Sequence, residues 1–184
     1  MSNYKRRLLV ISVLAFCSIF STMAVAGETN SSEEIGNWKV DKEVDPLTDE
    51  TEIFLSLPSN ESIESFSVMQ KALIIRLSEG TTDLYISWDK YLADNNEISY
   101  RFGDGGVEES TWIGSQDGTA LFFPDRRKDL ESFVKRLIKV DRFVVGISPY
   151  GKKRQTAVFD VRGLGNALLP NLEQFGWEKL EETI

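Results

Sequence analysis

The sequence predicts an α+β fold: an antiparallel β-sheet meander, sandwich-like, with one main amphipathic helix and a short C-terminal helix. Three observations carry this. From Ile53 to Phe123 apolar and polar residues alternate in short runs broken by polar turns. After Pro124 the apolar spacing changes to that of a helix. Strand and helix patterns do not alternate, which argues against a parallel βαβ sheet.

Trp38 to Val44 alternates weakly and reads as a first strand. Asp45-Pro46-Leu47-Thr48-Asp49 is a turn, because proline donates no ladder bond and aspartate caps nearby amides. Ile53, Leu55 and Leu57 face one way and Phe54 and Ser56 the other, giving a strand ended by Pro58. Residues 59–70 are polar and read as loop. Leu73-Ile74-Ile75-Arg76-Leu77 is a short apolar run of buried-strand type. The chain turns after Gly80. Leu84, Ile86 and Trp88 then share one face, with Tyr85 and Ser87 on the other.

Ile98, Tyr100 and Phe102 share a face of the next strand. Gly103-Asp104-Gly105-Gly106 signals a hairpin whose partner runs through Glu109 to Ile113. Asp117-Gly118 marks a further turn before a strand from Thr119 to Phe123. Leu130, Phe133, Val134, Leu137 and Ile138 recur at helical spacing, behind a start at Pro124-Asp125. Arg136 and Lys139 suit the negative end of that helix. Strands follow over Arg142–Ser148 and Thr156–Val161, with a turn at Pro149-Tyr150-Gly151. Leu164 to Phe175 reads as a short helix interrupted at Pro170, and Trp177 as a terminal plug.

Composition removes several chemistries. The chain of 184 residues has no histidine and a single cysteine, Cys17. The usual proton shuttle at neutral pH is therefore missing, as are imidazole metal ligands. Carboxylates, lysines, hydroxyls and tyrosines remain. The expectation is a protein that is not an enzyme and takes no cofactor and no metal.

Cys17 itself lies in what reads as an export signal. Lys5, Arg6 and Arg7 form a basic start, Leu8 to Phe20 an apolar run, and Ala24-Val25-Ala26 a cleavage site before Gly27. Two rivals stand beside this reading. One is an uncleaved anchor extended to Ala26. The other is a lipoprotein signal ending at Cys17, although bulky Phe16 stands where a small residue is expected. The organisation expected is a signal at 1–26, a flexible lead-in at 27–36 and a single domain at 37–184, located in the periplasm with no stable membrane span after cleavage. Removal of 1–26 takes three basic residues and no acid, so the net charge of −8 becomes −11. Such a chain repels phosphate backbones, which argues against a nucleic-acid role.

The order of the segments resembles a known family. Trp38-Lys39-Val40, the Asp45–Asp49 turn and the Ile53–Leu57 strand come first. Leu73-Ile74-Ile75-Arg76 and the run Thr82 to Leu92 come next. Tyr100-Arg101-Phe102, Ser110-Thr111-Trp112 and Asp117-Gly118 follow. Val145 to Tyr150, Ala157-Val158-Phe159-Asp160 and Gly163-Leu164 complete the set. Together these are similar to the VasI/TagO family of type VI secretion-associated proteins, across roughly residues 37–177. The resemblance implies an accessory protein that acts by binding an envelope protein or cell-wall component. Its oligomeric state is left open. Members of that family carry a cysteine after the Ile-Ile-Arg strand and another before the terminal Gly-Trp. Here Leu77 and Phe175 stand there, and the expectation is that the two side chains meet in place of a bridge.

Trp88, Tyr91, Tyr100 and Trp112 are the candidate partner-binding residues, as a stacking platform for a glycan, peptide or protein. The competing reading puts both tryptophans in the core. Asp83, Asp89 and Asp94 are candidates for carboxylate chemistry, and a carboxylate-based cell-wall hydrolase is the rival function. Turn chemistry and a solvated face is the alternative for them. A mobile-element inhibitor or immunity-like protein is a third reading. Arg76, set in an apolar strand, calls for a carboxylate partner from the chain or from a ligand. Arg126-Arg127-Lys128 and Lys152-Lys153-Arg154 are basic clusters suited to solvated turns or to an anionic partner.

Overall fold

Five consecutive strands build most of the first sheet: β1 (Ser31–Ile35), β2 (Trp38–Val44), β3 (Thr51–Pro58), β4 (Ala72–Ser78) and β5 (Thr81–Ser87). All neighbours in it are antiparallel. The computed structural model describes residues 30–60, 70–88, 91–92, 97–124, 127–148 and 154–184. The expected export signal at 1–26, most of the 59–70 loop, Asp89, Asp94, Asp125, Arg126, Lys152, Lys153 and the turn at 149–151 lie outside them.

The chain then leaves this sheet. β6 (Glu97–Phe102) and β7 (Glu108–Thr111) form a hairpin in a second sheet. β8 (Ile113–Gly114) and β9 (Ala120–Phe122) return to the first, where β9 pairs with β5. After helix α1 (Arg127–Ile138), β10 (Arg142–Ile147) and β11 (Gln155–Asp160) complete the second sheet, in the order β11-β10-β6-β7. The mostly antiparallel, two-sheet α+β architecture agrees with the alternation read in the sequence.

Two local expectations are corrected. The segment read as part of a lead-in is β1, paired residue for residue with β2 from Ser31↔Lys42 to Ile35↔Trp38. Its side chains are nearly all exposed, so the pairing leaves no apolar pattern in the sequence. The strand expected over Glu109–Ile113 is two strands in different sheets. Trp112 sits between them and is buried, so the crossover is pinned by an indole in the core.

One core lies between these layers. The inward row Ile53, Leu55, Leu57, Leu73, Ile75, Leu77, Leu84 and Ile86 is buried, as pleat alternation requires. Leu130, Phe133, Val134 and Leu137 bury the apolar stripe of α1. The Phe133 ring meets Phe102 at 5.0 Å and Phe123 at 4.7 Å between centroids. Asp129 in its first turn and Lys135 and Arg136 in its last suit the helix dipole. The C-terminal helix breaks at Pro170 as expected: α2 (Leu164–Leu168) and α3 (Leu172–Phe175) flank a 3-10 turn over Leu169–Asn171. Trp177 stacks on Phe175 at 5.1 Å and is buried.

The loop at the end of β3 ties the sheets together. The Asn60 amide donates to the Val158 carbonyl at 2.8 Å, and Lys71 Nζ donates to the Thr156 carbonyl at 2.7 Å. Both acceptors lie on β11, so part of its free edge is capped. Trp38 Nε1 donates to the Val161 carbonyl at 3.4 Å.

Candidate functional site

The four aromatic candidates do not form one platform. Trp88 and Trp112 are each 1 % exposed and cannot offer a ring face to a partner. Both are core residues. Tyr100 is half-buried among Phe102, Phe133 and Phe143, and burial pushes its phenol up from the ordinary value. Tyr91 alone is open, at 58 % exposure.

Tyr91 is nevertheless held in place. Its ring packs over Gly118 at the tip of the β8–β9 hairpin, where a Cβ would stand 2.4 Å from the ring. Gly118 has φ 68°, a conformation that side chains disfavour. The Leu92 amide donates to the Gly118 carbonyl at 2.8 Å. Asp117 accepts from the Thr119 amide at 3.1 Å and from the hydroxyls of Ser115 and Thr119. The Ser115 hydroxyl and then the Thr119 amide hold its carboxyl below the ordinary range.

Arg76 faces the solvent side of the first sheet and is not buried. It sits directly opposite Asp83 in register and donates to its carboxylate. That bond raises the arginine above its ordinary value. Asp83 is therefore engaged by a cation of the chain itself. Among the described residues, no group of three or more acidic, histidine or cysteine side chains is placed to hold a metal ion.

Register reveals a surface that strand-by-strand reading missed. Ile74 of β4 lies opposite Tyr85 of β5, Tyr85 opposite Phe122 of β9, and Phe122 opposite Ile113 of β8. All four point away from the core, making an apolar stripe across four strands. The Tyr85 and Phe122 rings stack at 4.7 Å with 25° between planes. Burial against these neighbours raises the Tyr85 phenol. The Arg76 guanidinium lies 5.8 Å from the Tyr85 ring, so the Arg76–Asp83 pair borders the stripe. Ile113 is 55 % exposed and forms its open end. The sequence held one signal for it: Ile74 sits in a run where both faces of the strand are apolar.

Leu77 and Phe175 line the same cavity, of about 190 Å³, with Leu130 and Trp177. Residues 98 positions apart in the chain are thus brought to one place at the end of β4.

No protein-family model and no curated protein matches this chain. Among solved structures it is similar to the invasion associated protein B of Bartonella henselae, with a TM-score of 0.51 over 81% of this chain and 99% of that one. The two sequences are 13% identical, so the likeness is one of fold.

Proposed function

We propose that the protein is an exported, periplasmic accessory factor of the VasI/TagO type, associated with type VI secretion. It works by binding an envelope partner rather than by catalysis. The observation that carries the binding role is the outward-facing stripe Ile74–Tyr85–Phe122–Ile113, buried at Ile74, half-buried at Tyr85 and Phe122 and open to solvent at Ile113. Aromatic and aliphatic side chains on a rigid sheet, bordered by an ion pair, offer apolar area at low entropic cost. The ordered segments quoted above and the basic-then-apolar leader support family and export. Positions 77 and 175 line one cavity, which is compatible with a site where relatives carry cysteines.

The test places a photo-reactive amino acid at position 113 or, as control, at exposed position 128 on α1. Crosslinking in intact cells should trap a discrete envelope component from position 113 alone. Equal yields from both positions, or none from 113, would remove the binding role. Mass spectrometry of the exported product should show a chain beginning at Gly27. An acylated Cys17 would replace that reading.

A further inference from the structure

The second sheet carries a groove on its solvent face. Register sets Gly146 of β10, Ser99 of β6 and Glu109 of β7 side by side in one row. The next row sets Glu97 beside Thr111, with Ser148 just past β10. These residues line a groove of about 420 Å³. Hydroxyls and carboxylates dominate its lining, and among the described residues its one cation is Arg154, immediately before β11.

Gly146 explains where that cation sits. Glycine inside a strand weakens it and often marks a close approach. A Cβ at 146 would stand 2.8 Å from Nε and 3.0 Å from Nη2 of Arg154. The guanidinium therefore rests on bare backbone and buries Gly146, although that residue faces outward. Arg76, Arg136, Arg142 and Arg162 each hold a carboxylate. Arg154 holds none among the described residues.

The row from Gly146 to Glu109 spans two strand spacings, about 10 Å. Arg154 enters from one end and Glu109 from the other, with Ser99 between them. Opposite charges fixed at the two ends of a hydroxyl-lined floor suit a ligand that carries both charges close together.

We propose that this groove binds a zwitterionic amino-acid group. The forked N–H donors of Arg154 take its carboxylate, and Glu109 takes its ammonium. Ser99 and Thr111 supply hydroxyls for the remaining polar atoms. Two sources carry this chemistry: a free amino acid, and the unlinked end of a cell-wall stem peptide. The choice of probes rests on the export proposed above; the chemistry of the groove does not.

Calorimetric titration of the purified exported protein tests this, with meso-diaminopimelic acid and with a soluble muropeptide ending in that residue. Acetate and ethylammonium serve as single-charge controls. At least one zwitterion should bind, and neither control should bind as tightly. Binding of both zwitterions marks recognition of the amino-acid group alone, and binding of the muropeptide only marks the cell-wall source. Arg154→Ala should weaken binding at least about tenfold, as loss of a charge-assisted pair does, and Glu109→Gln should weaken it too. Both side chains are exposed, so circular dichroism should show both variants folded. Absence of binding by either zwitterion, or affinity unchanged in Arg154→Ala, overturns the proposal. Crosslinking from position 113 reads the other sheet and is unaffected by that result.

Discussion

The guanidinium of Arg136 on α1 lies 3.9 Å from the centroid of the Phe102 ring on β6. The same group holds Glu108 on β7, with Nη1 donating to Oε2 at 3.0 Å and Nη2 to Oε1. One side chain thus fastens the helix to both strands of a hairpin. Its outer position in the last turn of α1 was chosen by the helix dipole, but its partners were not visible there.

Arg136→Ala should therefore destabilise the fold by about 1–2 kcal/mol. A partly exposed cation–ring contact contributes about 0.5–1 kcal/mol and a surface ion pair up to about 1. Arg136→Lys should recover less than half of the loss, because an ammonium has no planar fork. Urea unfolding of the three proteins measures this, and a variant equal to wild type would show the contact to be idle.

The ion pair also fixes a pH dependence. The hydrogen bond from Arg136 holds the Glu108 carboxyl below its ordinary value of 4.5. A depressed carboxylate contributes stability above its unfolded value and loses it as pH falls through the folded one. Glu108→Gln should be less stable than wild type at neutral pH, by under about 1 kcal/mol because both side chains are largely solvated. The difference should shrink steadily below about pH 4.5. Urea midpoints across the acid range read this, and a constant gap would contradict it.

Gly118→Ala should be destabilising for two separable reasons. The backbone is left-handed, and the new methyl meets the Tyr91 ring. The first term is about 1–2 kcal/mol and cannot be relieved by moving Tyr91. The double variant with Tyr91→Ala should recover only the steric part, so the two changes should couple measurably in a double-mutant cycle. Strict additivity would mean that the ring does not rest on Gly118.

Adjacent residues 112 and 113 should behave oppositely. Trp112→Ala should cost about 3–5 kcal/mol, since it empties a core position. Ile113→Asp should change stability by under about 1 kcal/mol, because its side chain is largely in water. Yet it should abolish partner capture by the stripe. Loss of capture in Trp112→Ala, by contrast, would report unfolding. Thermal melts run beside a pull-down from envelope extracts, which leaves position 113 free to vary, separate these outcomes.

Strand positions were legible where one face is apolar and the other polar. The inward rows of β3, β4 and β5 and the stripe of α1 follow directly from residue spacing. β1 was not legible, because Ser31-Ser32-Glu33-Glu34 buries nothing and is held by backbone bonds to β2. The split at Trp112 was hidden for a related reason: a strand that changes sheets keeps its local alternation. The tryptophans misled as surface candidates because amphipathic aromatic rings are equally at home in a core and at an interface.

The α+β class, the buried rows and the break at Pro170 follow from residue order, since pleat and helix periods are local properties of the chain. Which outward residues became neighbours depends on how the strands assemble. Ile74, Tyr85, Phe122 and Ile113 come from four strands, and Gly146, Ser99 and Glu109 from three. Register between strands distant in sequence is set by packing of the whole core, so no local pattern records it.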